Sequence, residues 1–213
     1  MSIPKNRPPS DTPGPSHYFD PTPGAPSRPR TVFLHVGELA LELQADRGVF
    51  GSRAVDLGTL TLLREAPAPP TNGDILDLGS GYGPIAIALA RQSPQARVWA
   101  VDVNERALEL TRANARAAGT ANVTACLPDE VPPDIRFAAI YSNPPVRIGK
   151  LPLHALLQRW LARLASGGSA YLVVQRNLGS DSLAAWLASE GSEVQRLKSK
   201  KGYRVLAVRP TAT

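Results

Sequence analysis

The sequence predicts an α/β fold: a Rossmann-like, doubly wound and mainly parallel sheet with helices on both faces, preceded by a short β-hairpin and helix. Three observations carry that reading. Short apolar runs alternate with helix-length segments from Asp74 onward. A glycine-rich turn, Asp77-Leu78-Gly79-Ser80-Gly81-Tyr82-Gly83-Pro84, stands between the first of these runs and the segment after it. The next run, Val98 to Val101, closes on an acid, Asp102.

Residues 1–30 read as a Pro-rich flexible arm, because proline at this density blocks both helix and central strand. Its aromatic cluster, His17-Tyr18-Phe19, is expected to dock on the body of the protein. Residues 31–213 read as one domain, since a chain of 213 residues suits one well-packed core better than two. Thr31–Val36 and Leu39–Leu43 flank Gly37-Glu38, and the second run alternates Leu39, Leu41 and Leu43 with Ala40 and Glu42, the pattern of a hairpin. Gly48 marks a turn within Asp46-Arg47-Gly48-Val49-Phe50, a helix is expected over Val55–Arg64, and Pro67 to Pro70 closes this front section. Strands are then expected at Ile75–Leu78, Val98–Val101, Phe137–Tyr141, Ala170–Val174 and Arg204–Val208. Crossover helices are expected at Ile85–Arg91, Glu105–Ala118, Leu153–Leu164 and Ser182–Ser189.

Composition narrows the function classes. No apolar run reaches the length of a membrane span, and the start, Met1-Ser2-Ile3-Pro4-Lys5, lacks the apolar core of a secretory signal, so a soluble cytoplasmic protein is expected. Cys126 stands alone and only 3 histidines occur, which argues against a zinc enzyme, and no metal is expected. The net charge of +6 suits an anionic partner. Its distribution says more, because Arg196, Lys198, Lys200, Lys201, Arg204 and Arg209 crowd the stretch after Val194 with no acid among them. That stretch is a candidate phosphate-facing edge.

In an open α/β sheet, the turn after the first strand is where a ligand meets backbone N–H groups at a helix N-terminus. Asp102, at the end of the next strand, can accept from both hydroxyls of a ribose. A dinucleotide fingerprint would need a third glycine where Pro84 stands, and here Asp77 adds an acid inside the strand end. Both departures favour a nucleoside-amino acid cofactor without pyrophosphate, whose ammonium group wants an acceptor such as Asp77. These residues resemble those of class I S-adenosylmethionine methyltransferases. The resemblance implies that Gly79, Gly81 and Gly83 wrap the methionine part, that Asp102 holds the ribose, and that Val103 or Asn104 lies beside the adenine. Leu127, in the segment Ala125 to Pro128, would then flank the other adenine face.

After the run Phe137–Tyr141 comes Ser142-Asn143-Pro144-Pro145, expected at the switch point of the sheet. The lone pair of an exocyclic base amine is delocalised into its ring, so the nitrogen attacks only when its hydrogens are held in a geometry that frees that pair. The Asn143 side-chain oxygen and the Pro144 carbonyl can accept those hydrogens, while Pro144 and Pro145 stiffen the backbone and add no competing donors. The Asn-Pro-Pro form is shared by methyltransferases of base amines and of a protein glutamine amide. Where the adenine and glutamine versions continue with Tyr or Phe, Val146 follows here, so stacking on the target must come from elsewhere or be weaker.

Five segments together carry a closer resemblance: Ala45 to Phe50, Val55 to Thr59, Asp77 to Pro84, Ser142 to Pro145, and Lys200 to Leu206. They are similar to the small-domain methyltransferase superfamily, which contains the RsmC-type guanine-N2 methyltransferases of bacterial small-subunit ribosomal RNA. The likeness spans roughly residues 31–209. It implies an S-adenosylmethionine-dependent N-methyltransferase with ribosomal RNA, or the ribosomal subunit, as partner. The Arg47 to Phe50 turn and the helix after Gly58-Thr59 would cover the donor and the target pocket. Candidate substrate contacts are therefore Arg47, Phe50, Val146, Lys198, Lys200, Lys201 and Arg204. RsmC carries a degenerate second half before its catalytic half, and this chain has a short arm there. Alternatives are an adenine-N6 or glutamine-N5 methyltransferase, and a non-catalytic RNA-binding or ribosome-assembly factor on a relic fold. Trp160 and Trp186 fall at helical spacing with leucines and read as core, Cys126 as a small buried hydrophobe, and His154 as a capping or surface residue.

Overall fold

Alternating apolar residues make a two-stranded ribbon that must bury one face. In the computed structural model, which describes residues 27–51 and 53–211, that ribbon is β1 (Arg30–Val36) paired antiparallel with β2 (Leu39–Ala45). The cluster His17-Tyr18-Phe19 lies outside the described residues. Val32, Leu34, Leu41 and Leu43 face inward and pack with Tyr82, Ile87, Ala88 and Ala107. Helix α1 (Leu57–Glu65) follows, its start capped by the Asp56 side chain.

The chain then alternates: β3 (Asp74–Leu78), α2 (Pro84–Gln92), β4 (Arg97–Val101), α3 (Glu105–Ala117), β5 (Val123–Cys126), β6 (Phe137–Ser142), α4 (Lys150–Leu161), β7 (Leu164–Gln175) and α5 (Ser180–Ser189). An antiparallel pair, β8 (Ser192–Lys200) and β9 (Tyr203–Pro210), ends it. The described strands β3 to β9 form one sheet in the order β5-β4-β3-β6-β7-β9-β8, parallel from β5 to β7 and antiparallel beyond. The chain leaves β3 toward β4 and β5, then returns to the other side of β3 as β6. That reversal opens a crevice beyond the carboxyl ends of β3 and β6.

Helix α2 is buried from Pro84 to Ala90. Ile85, Ala86, Leu89 and Ala90 pack on the sheet through Ile75 and Val98, while Ile87 and Ala88 pack under the hairpin. A helix apolar all round has to be covered on both sides, and the hairpin is the second cover. It thereby brings the turn after β2 to the mouth of the crevice. Among the described residues no helix is long and apolar enough to cross a membrane.

The differences from the expected elements have physical causes. Strand β5 is only 4 residues long, too short for a periodicity to register. In β8, the half-buried Val194 and Leu197 fall out of period-two register because the strand bulges between Arg196 and Lys198. Strand β7 starts at Leu164, where a helix end was expected, and α4 starts earlier, at Lys150, just after Gly149 at φ +98. Trp160 is core. Trp186 packs against that core while its ring stacks on His154 at 3.7 Å; His154 stands half-buried inside α4, so it neither caps the helix nor is fully exposed.

Candidate active site

The crevice is a cavity of about 440 Å³. The glycine loop, Asp102 and Asn104 line one end; Asp56, Thr59, Asn143 to Arg147 and Tyr203 line the other. Gly48 to Gly51 of the post-β2 turn close over it.

The glycine-loop end is built mostly from backbone. Gly79 N and Ser80 N both donate to the Val101 carbonyl, at 2.8 and 3.0 Å, which ties the loop to the end of β4. Asp102 Oδ2 accepts from Gly81 N at 2.8 Å and its Oδ1 accepts from Asn104 N at 3.0 Å. Burial raises the Asp102 pKa, and hydrogen bonds from the Asn104, Gly81 and Val103 backbone oppose that rise. Thr111 Oγ1 donates to the Gly81 carbonyl at 2.8 Å. The turn over the cavity is held from the same side, since Asn104 Nδ2 and Arg106 donate to the Gly48 and Arg47 carbonyls.

Several expected ligand contacts lie elsewhere. Gly83 does not line the cavity; it starts α2 at φ +90, and a Cβ there would come within 2.9 Å of the Thr111 side chain. Its role is to let strand, loop and helix close up. Asp77 is fully buried beneath the loop, where its Oδ2 accepts from Ala86 N at 2.9 Å. Burial pushes its pKa up to about 8, and the Asp102 charge adds to the rise. Val103 is half-buried next to Asp102 but off the cavity wall. Leu127 is also off the wall, its N–H donating to Glu130 Oε2 at 2.7 Å. Cys126 is buried, as expected of a small hydrophobe, and burial pushes its thiol up to about 11.

The other end is built from side chains. Asn143 Nδ2 donates to Asp56 Oδ2 at 2.8 Å and to Thr59 Oγ1 at 3.3 Å. Both amide hydrogens are thereby used, and Asn143 Oδ1 remains as the open acceptor. The Pro144 carbonyl accepts from Val146 N at 2.8 Å, which leaves one of its two lone pairs. Pro145 starts a single 3-10 turn, Val146–Ile148, whose apolar side chains rest on the main core. Val146 lines the cavity, and so does Phe50, a residue 69% exposed at the mouth.

The basic edge divides in two. Lys198 pairs with Glu65 at 3.1 Å, Arg196 with Asp181 at 2.9 Å, and Arg204 also with Asp181. Lys198 and Arg204 are therefore partly neutralised and lie off the cavity wall. Lys200, the last residue of β8, and Lys201, in the β8–β9 turn, are exposed close to Tyr203 of the cavity wall. Arg47 is exposed beside the lining residue Gly48 without reaching the wall itself. Sequence reasoning missed Asp56, Thr59, Tyr203 and Arg147 as individual wall residues. The resemblance had bracketed the first three within quoted segments, but only the folded chain brings them to Asn143.

Residues 40–207 match the family model described as "Methyltransferase small domain". The chain belongs to this family. It is 34% identical over 193 residues to YbxB of Bacillus subtilis, an uncharacterized protein, covering 89% of this chain and 96% of that one. It is 35% identical over 143 residues to ribosomal RNA small subunit methyltransferase C of Aeromonas hydrophila, covering 64% of this chain and 41% of that one. Among solved structures it is similar to the T. thermophilus 16S rRNA N2 G1207 methyltransferase (RsmC) in complex with AdoMet and guanosine. That likeness has a TM-score of 0.76 and 26% identity, over 87% of this chain and 52% of the other. The chain thus spans about half, or less, of the length of these named methyltransferases.

Proposed function

We propose that this chain transfers a methyl group from S-adenosylmethionine to an exocyclic base amine of ribosomal RNA, with guanine N2 as the target. One observation carries the reading. In the same cavity as the glycine loop and Asp102, Asn143 has both amide hydrogens engaged and one acceptor oxygen left for an amine. The similarity to a guanine-N2 methyltransferase, over the half of that protein that this chain spans, supports the choice of base.

The residues present fit the donor. On the cavity wall around the glycine loop, Ser80 Oγ and the Tyr82 hydroxyl are buried without a hydrogen-bond partner among the described residues. Buried polar atoms are rarely left so, and they suit a ligand with an amino-acid end. Gly79 and Gly81 let the backbone approach it, Asp102 has lone pairs left for the ribose hydroxyls, and Asn104 borders the adenine end. When bound, S-adenosylmethionine supplies an electrophilic methyl on a sulfonium.

At the other end, Asn143 Oδ1 and the spare lone pair of the Pro144 carbonyl take the two hydrogens of the target amine. The nitrogen lone pair is then turned out of conjugation and toward the donor end of the cavity, so positioning, not a strong base, lowers the barrier, and the proton that the methylated nitrogen must shed passes to water with or after transfer. Phe50 supplies the ring that Val146 does not, closing over the base at the mouth. Arg147, exposed on the cavity wall, and Lys200 and Lys201 at its edge meet the phosphates of the flanking nucleotides. The test is methyl transfer from labelled donor to total RNA, free ribosomal subunits and protein extract from cells lacking the gene, followed by nucleoside analysis. N2-methylguanosine in RNA is the expected product; label in N6-methyladenosine or in protein would replace this reading with one of its alternatives.

A further inference from the structure

Asp56 caps α1, and its Oδ2 accepts from Gly58 N at 2.7 Å and Thr59 N at 3.3 Å. The same oxygen takes the hydrogen bond from Asn143 Nδ2. A cap does not require this. Serine, threonine or asparagine caps a helix about as well as aspartate, so capping alone does not call for a carboxylate here. A carboxylate only accepts, and an amide can face it in one sense: the NH2 toward Asp56, the oxygen away. Turning the Asn143 amide over would set Oδ1 against Asp56 Oδ2 and leave two donors where the target amine needs an acceptor.

Two further features hold the carboxylate in place. Tyr203 OH lies 3.5 Å from Asp56 Oδ1, and the Tyr203 pKa is raised by burial and then by the Asp56 charge. Gly58 makes room for both partners, since a Cβ on it would fall 2.7 Å from Asp56 Oδ2 and 2.9 Å from the Tyr203 ring. The first turn of α1 also contributes free N–H groups that favour a negative charge at this point.

We infer that Asp56 is a positioning residue, which fixes the Asn143 amide so that its oxygen faces the target amine. The inference rests on the reading of Asn143 as the amine acceptor and names what sets its orientation. Asp56→Asn keeps a capping side chain but supplies donors as well as acceptors, and so lets the Asn143 amide turn over. It should leave Tm and donor affinity close to wild type and slow single-turnover methyl transfer by about ten- to a hundredfold. In an Asn143→Ala background the same change should cost less than about twofold, because the two residues act as one unit. A second readout needs no substrate. The Asn143 side-chain amide resonances, assigned by their loss in Asn143→Ala, should show slow hydrogen exchange in wild type and lose that protection in Asp56→Asn. Equal cost of Asp56→Asn in both backgrounds, or unchanged amide exchange, would overturn the inference. If wild type methylates no RNA, the proposed function fails by itself, and the amide resonances still decide whether Asp56 orients Asn143.

Discussion

The two ends of the cavity are made differently. The proposed donor end runs from Gly79 to Asn104, and its contacts are mostly backbone: glycine loop to the Val101 carbonyl, and Asp102 to the N–H groups of Gly81 and Asn104. The proposed amine end joins Asp56 and Thr59 before β3, Asn143 after β6 and Tyr203 at the start of β9, and its contacts run between side chains. A backbone-built site tolerates many side chains as long as its turns form. A side-chain network fails when one member changes, because a buried amide left with the wrong partner costs more than the bond it lost.

The sharpest way to break this comparison is Asn143→Ala. If the amine end only positions substrate, donor affinity by calorimetry stays near wild type while single-turnover methyl transfer falls by about two to three orders of magnitude. Loss of donor binding together with Tm, and chemistry at saturation near wild type, would show that the two ends are one structural unit.

Asp102→Ala probes the donor end. It removes the acceptor of Gly81 N as well as the proposed ribose partner, so donor Kd should rise by about tenfold or more, with a lowered Tm. An unchanged Kd would remove Asp102 from the donor site.

Asp77 sharpens the contrast through pH. Its folded-state value of about 8 lies above the 3.8 of an ordinary aspartate, so the folded chain keeps a proton that the unfolded chain has lost. The stability this contributes is fully present below about pH 4 and is lost as pH rises to about 8. Asp77→Asn mimics the protonated form. Against wild type without donor, its Tm should gain on the order of ten degrees between pH 5 and pH 8, then hold a constant lead. A difference independent of pH would mean that Asp77 is ionised in the free fold.

The smallest effect is expected at the rim. Changing Lys200 and Lys201 together to Ala should flatten the dependence of log RNA affinity on log salt by about two units, because each phosphate contact releases roughly one counterion. Changing Lys198, already paired with Glu65, should alter that slope less than either. A Lys198 effect as large as the others would return the whole edge to the RNA contact.

Much of the glycine-loop end of the cavity was legible in the chain because its parts are local. A strand, a glycine turn and an acid on the next strand have a fixed spacing, and the backbone conformations they need, such as φ +78 at Gly79 and +56 at Gly81, call for glycine visibly. Even there, the spacing grouped Gly83 with the ligand glycines, although it packs on Thr111, and placed Asp77 at the donor although it lies sealed beneath the loop. Spacing shows which residues sit near a turn, not which of their faces meet the cavity.

By itself the sequence determined the alternation of strand and helix, the glycine turn, the hairpin and the presence of an Asn-Pro-Pro turn after a buried strand, since each follows from local periodicity and backbone preference. Only the tertiary structure decided that Asp56 would cap a helix and hold Asn143 at once, that Tyr203 would reach it from β9, and that Lys198 and Arg204 would be spent on ion pairs. Those outcomes depend on side chains from distant segments meeting in one place. That meeting is set by the sheet order and by the hairpin and α1 packed against it, which no local pattern encodes.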